Sequence, residues 1–132
     1  MDALLAGFAD SLTLSTVGFV SLGVLIGYVV GVLPGLSRPT ALAMAVPLTF
    51  YMSPLAGIAF LIGISKASGA GGAITAILMN VPGEPNAAAT CLDGYPLARQ
   101  GKAHKALMIS LYGSVIGDIF GTIVLIIVAA PF

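Results

Sequence analysis

A single cysteine, Cys91, rules out an internal disulfide and a multi-cysteine metal site. A single histidine, His104, leaves no histidine cluster for zinc, so metal-dependent hydrolysis is not expected and neither residue is assigned a catalytic role. Charge is scarce as well. Five Lys/Arg balance five Asp/Glu, which leaves no basic face for nucleic acid and no acidic tail. The first ten residues contain no Lys or Arg and no small-residue cleavage pattern ahead of Asp10. That argues against a removable secretory signal and predicts that the first apolar segment stays in the bilayer. What fills the chain instead is hydrocarbon: 58% hydrophobic residues against 8% charged, with mean hydropathy +1.10. A water-soluble fold of 132 residues has no way to hide that much apolar surface. The fold class is therefore an all-α integral membrane protein, with about four transmembrane or re-entrant helical segments at ~20 residues per crossing.

In chain order, Asp2 to Phe8 reads as a short amphipathic lead-in at the interface. Leu12 to Leu33 is the first long span, with Ser11, Thr13 or Ser15 as caps and Pro34-Gly35 as its end. Gly23, Gly27, Gly31 and Gly35 recur every fourth residue, a stripe that lets another helix approach closely. Thr40 to Tyr51 is short and carries Pro47, which fits a half-helix, a re-entrant piece or a kinked span from Leu36 to Ser53. Leu55 to Ile64 is apolar again, and then Lys66 brings a charge that either faces a cavity or reaches water at the end of the span. Asn86 to Lys105 is the extended polar region, in which Asp93-Gly94 is read as a turn, Tyr95-Pro96 as a helix start and Gly101 as its end. Arg99, Lys102 and Lys105 place this region in the cytoplasm by the positive-inside rule. Ala106 to Ala130 is the cleanest span. Asp118 lies in its middle beside the stripe Gly113, Gly117 and Gly121, and a carboxylate there needs a partner, for which Lys66 is the candidate.

The stretch from Gly69 to Pro85 reads as a helix interrupted by its own residues. Gly71 and Gly72 each weaken a helix interior by about 1 kcal/mol, and Pro82 removes a backbone donor. Irregular backbone at membrane depth survives where it is buried or lines a cavity, which makes Ile74 to Glu84 the expected solute site. Pro82-Gly83-Glu84-Pro85 echoes the earlier break Pro34-Gly35-Leu36-Ser37-Arg38-Pro39, each running Pro-Gly, charge, Pro. Two such breaks meeting at one site is the pattern of carriers built from broken helices. At the first break, Arg38 is either a snorkelling side chain or, with Ser37, Thr40 and the following amides, an anion-binding helix start. The substrate candidates are Ser37, Arg38, Thr40, Asn80 and Gly83. Thr75 and Glu84 are the candidates for coupling to a sodium ion or a proton.

Gly31-Val32-Leu33-Pro34-Gly35-Leu36, then Gly71-Gly72-Ala73-Ile74 running to Pro82-Gly83-Glu84-Pro85, then Asp93-Gly94-Tyr95-Pro96-Leu97-Ala98 and Gly101, resemble the large membrane subunit of the tripartite tricarboxylate transporters. The resemblance covers nearly the whole chain. It departs from the family pattern at Ser37-Arg38, where Gly-Pro is usual, and at Ala70, where an aromatic residue commonly stands. It implies a multi-pass protein of the bacterial inner membrane and a cation-driven secondary transporter of organic anions such as tricarboxylates. It also implies a periplasmic solute-binding protein and a small membrane subunit as partners. The family subunit is several times longer and has two related halves, so residues 1–132 are expected to form a single membrane domain, the amino-terminal part of a longer carrier, with the remaining half as a further partner. The competing expectation is an assembly subunit that packs against a larger partner through its glycine stripes and binds no solute.

Overall fold

The computed structural model describes residue 7 and residues 9–129. The lead-in expected over Asp2–Phe8 falls almost wholly outside them. Helix α1 spans Leu14–Val32, α2 Arg38–Thr49 and α3 Pro54–Met79; a 3-10 turn at Pro85–Ala87 leads into α4, Ala88–Leu97, and a wide turn over Ala98–Lys102 joins it to α5, Ala103–Ala129. Among the described residues there is no strand. The helices of α1, α3 and the stretch ending in α5 are long and apolar enough to cross a membrane.

The core is the crossing of α1 on α3, and glycine sets its spacing. Gly23, Gly27 and Gly31 are buried on the α1 face that meets α3. A methyl group on Gly27 would sit 2.5 Å from the Ile64 carbonyl oxygen and 2.8 Å from the Ile64 Cα. The stripe read from the sequence is a seat for a helix backbone, and it stops before Gly35, which lies in open space with φ +95°. Around this crossing, Phe60 and Ile64 of α3 pack with Ala41 and Ala45 of α2. Leu33 and Leu36 amides turn back onto Val30 and Leu33 carbonyls, so the Pro34-Gly35 break is a tight corner. Thr13 occupies the cap position of α1, but its hydroxyl donates to the Asp10 carbonyl, 2.9 Å away, and caps nothing.

Three sequence expectations change here. The glycines at 69, 71 and 72 do not break the helix: α3 runs unbroken from Pro54 to Met79. Their missing side chains make room for other parts of the chain. A methyl on Gly71 would meet the Gly31 Cα at 3.0 Å, and one on Gly72 the Glu84 amide nitrogen at 3.0 Å. The helical penalty of about 1 kcal/mol per glycine is offset by that close packing. Lys66 accordingly lies within the span, not at its end. Asp93-Gly94 is helical, inside α4, and Tyr95-Pro96 ends that helix where a start was expected. Gly94 stays in the helix because Ile77 of α3 presses against it, leaving 2.8 Å for an added methyl. Gly101 does act as punctuation: with φ +78° it turns the chain between α4 and α5.

Candidate functional site

The two Pro-Gly breaks come together against α3. Gly83 is buried, its amide donating to the Gly72 carbonyl at 3.4 Å. A methyl there would lie 2.5 Å from the Gly31 carbonyl oxygen and 2.8 Å from the Gly72 Cα. Three stretches of backbone thus meet with no side chain between them. Seating Gly83 this deep swings the next residue, Glu84, inward until only 4% of its side chain is exposed.

A buried carboxylate is costly unless it is paired and hydrogen-bonded, and Glu84 is both. Arg38 Nη2 donates to Oε2 at 2.9 Å, and Arg38 Nε lies 3.4 Å from Oε1. Ser68 Oγ, fully buried on α3, donates to Oε1 at 2.8 Å. Arg38 is the first residue of α2, so the first break supplies the cation and the second the anion. Gly69 lies beneath the guanidinium, where a methyl would be 2.6 Å from Nη2. The exposure is unequal. Arg38 keeps 35% of its side chain open, while Glu84 is sealed behind it.

What Arg38 opens onto is a cleft of about 700 Å³ between α3 and α5, floored by the second break. Its walls carry Tyr28 from α1, Arg38, Lys66 and Ala70 from α3, Glu84 and Asn86, Thr90 from α4, and Ser110, Ser114 and Asp118 from α5. Here lies a second ion pair: Lys66 Nζ contacts Asp118 Oδ1, with both side chains about half exposed. Every buried side-chain nitrogen and oxygen among the described residues has a hydrogen-bond partner. A smaller apolar pocket of about 200 Å³, lined by Tyr28, Ile74, Ile77, Leu107 and Met108, adjoins the cleft and shares its Ser114.

Of the residues singled out in the sequence, Arg38, Glu84, Lys66 and Asp118 line this one cleft. The others sit beside it. Ser37 and Thr40 bond each other through their hydroxyls at 3.0 Å at the start of α2. Thr75 is buried with its hydroxyl on the Gly72 carbonyl at 3.1 Å, committed to its own helix. Asn80 is exposed and ends α3 in the left-handed conformation, φ +57°. Ser68 was missed. Its one sequence signal was the pairing of a hydroxyl with Gly69 and Gly72 on a helix read as ending, and nothing local announces a contact sixteen residues away.

Residues 17–132 match the family described as the tripartite tricarboxylate transporter TctA family. An uncharacterized 52.8 kDa protein in the TAR-I ttuC' 3' region of Agrobacterium vitis is 42% identical over 125 residues, covering 95% of this chain and 25% of that protein. The chain thus spans about a quarter of the length of the relative. No solved structure matches it. With a family match running over the two breaks, the ion-paired cleft and all three long helices, the chain belongs to the tripartite tricarboxylate transporter TctA family.

Proposed function

We propose that this chain forms the amino-terminal membrane domain of a cation-coupled secondary transporter for organic anions, tricarboxylates or related carboxylates. It is a multi-pass protein of the inner membrane. In this reading a periplasmic solute-binding protein delivers the anion, and a small membrane subunit and the remaining part of the carrier complete the complex. The observation that carries the proposal is the cleft between α3 and α5, where two cationic side chains, Arg38 and Lys66, lie beside carboxylate counter-ions, Lys66 on a helix long and apolar enough to cross a membrane. Ionisable groups held inside a membrane segment mark a solute or ion path more often than they serve stability.

The roles divide by position. Arg38 meets a substrate carboxylate through a planar fork of donors, and Lys66 contributes a second positive charge. Ser37 and Thr40 set the start of α2 that carries Arg38. Gly83 and Asn80 shape the loop that carries Glu84, Thr75 holds α3 beneath that loop, and Glu84 is the group toward which a sodium ion or proton is drawn. Asp118 balances Lys66.

The test is uptake of radiolabelled citrate into right-side-out membrane vesicles containing the chain, alone and beside the rest of its carrier. Uptake driven by an inward cation gradient and lost in Arg38→Gln at unchanged membrane abundance is the expected result. Uptake that survives Arg38→Gln intact removes the cleft from the transport path. A chain that binds and moves no carboxylate in either setting is an assembly subunit, the reading to which the open Gly113, Gly117 and Gly121 face of α5 lends its support.

A further inference from the structure

The transport reading leaves one arrangement unused: the guanidinium assigned to the substrate already holds a carboxylate of the protein itself. Arg38 turns its Nε and Nη2 edge to Glu84, the edge that grips a carboxylate with two parallel bonds. An anion entering the cleft finds that edge taken. We propose that Glu84 is a resident counter-ion which the substrate carboxylate displaces from Arg38, and that the displaced Glu84 then takes up one monovalent cation, which couples the two solutes at a single side chain. The inference rests on the carrier reading and names the residue through which coupling occurs.

Glu84 is held by three donors, two from Arg38 and one from Ser68. When a substrate takes the Arg38 edge, Ser68 alone remains, and a hydroxyl carries no charge. A buried carboxylate without its counter-charge is strongly disfavoured. Among the described residues no other cation faces it: from α2 comes Arg38, from α3 Ser68 and the glycines beneath the loop, and the remaining charged groups of the cleft, Lys66 and Asp118, are already joined to each other. The deficit is one positive charge, which a sodium ion or a proton supplies. Without the cation, Glu84 keeps Arg38 and the anion is excluded. With it, Arg38 is released.

The structure also explains why Glu84 has a place to stay. Gly72 leaves room at its backbone and Ser68 retains Oε1, so the side chain needs to give up only the Arg38 contacts. Ser68 is thereby a positioning residue, acting on substrate only through Glu84.

Two measurements on the purified chain in nanodiscs test this, one of them without substrate. Removing the guanidinium with Arg38→Ala creates the displaced state permanently. Its thermal midpoint is expected to rise by about 4 °C or more relative to wild type when sodium replaces choline at fixed pH, or when pH is lowered without sodium, and whichever arm responds names the ion. Arg38→Ala/Glu84→Gln should show neither response. A single variant as flat as the double one overturns the proposal whatever the chain transports. Should Arg38→Ala not fold, citrate affinity of Glu84→Gln decides: it is expected to lose the dependence on cation that wild type shows and to bind about tenfold more tightly at low cation. A wild-type dependence retained in Glu84→Gln also overturns the proposal, while leaving the carrier reading in place. Absence of citrate binding in wild type, beside a cation-responsive Arg38→Ala, instead points to failure of the carrier reading.

Discussion

Asn80 holds the end of α3 in a conformation that costs most side chains about 1 kcal/mol or more, and that asparagine and glycine tolerate. The residue is exposed and is not part of the cleft lining, so its value lies in its backbone. Asn80→Gly should therefore keep both folding and citrate uptake, whereas Asn80→Ala should lose about 1 kcal/mol of stability in thermal unfolding. A well-folded Asn80→Gly that no longer takes up citrate would give the amide back to the substrate. In the sequence, Asn80 stood out because it joins a donor and an acceptor beside a proline break. That chemistry is the same for a ligand-binding amide and a helix-ending one, and only φ separates them. Glu84 and Arg38 stood out as a charge in each of two matched breaks, but their pairing did not: the sequence reading gave Arg38 to headgroups or a substrate anion and Glu84 to a cation, since no local signal joins residues 46 apart.

At the scale of the helix, glycine plays two roles that spacing alone does not distinguish. Gly23, Gly27 and Gly31 of α1 and Gly113, Gly117 and Gly121 of α5 show the same four-residue period. The first set is pressed against the α3 backbone, and the second has nothing within 4 Å. Gly27→Ala should then cost about 1–3 kcal/mol through overpacking. Gly117→Ala in the same chain should be neutral, or stabilising by up to about 1 kcal/mol as helix propensity improves. Equal effects at the two sites in thermal unfolding would mean that α1 and α3 do not cross as described. The long apolar elements were readable because hydrocarbon thickness dictates their length, and α1 and α5 lie within a few residues of the expected spans. Local glycine and turn signals misled at Gly69–Gly72 and at Asp93-Gly94. There a neighbouring element presses on the glycine, so tertiary packing overrides the local preference, and a reading of one segment at a time has no access to the neighbour.

For the molecule as a whole, the seam between α3 and α5 is bridged by one ion pair among the described residues, Lys66 to Asp118. Half-exposed pairs contribute little in water, but these two line the cleft on helices long and apolar enough to cross a membrane, where a lone charge is expensive. Reversing either charge alone should lower the folded yield from membranes. The double reversal Lys66→Asp/Asp118→Lys should restore it, and a double variant no better than either single one would show that the pair does not hold α5 in place. The partners across this seam were inferable by elimination, since the chain has so few intramembrane charges. The cleft that the seam encloses was not, because its volume depends on how far α5 stands from α3.

The crossing where Gly83 rests on Gly31 and Gly72 has a mechanical consequence. With backbone stacked directly on backbone there are no rotamers to adjust, so α1, α3 and the loop between Asn80 and Pro85 behave as one stiff body. A carrier that alternates the side from which its cleft is reached must bend somewhere else. The compliant parts are the left-handed hinge at Gly101 and the sparsely packed α5 beyond it. In the proposed carrier, access to the cleft would then change by swinging α5 about Gly101, which would part Lys66 from Asp118 while the backbone that carries Glu84 stays in place.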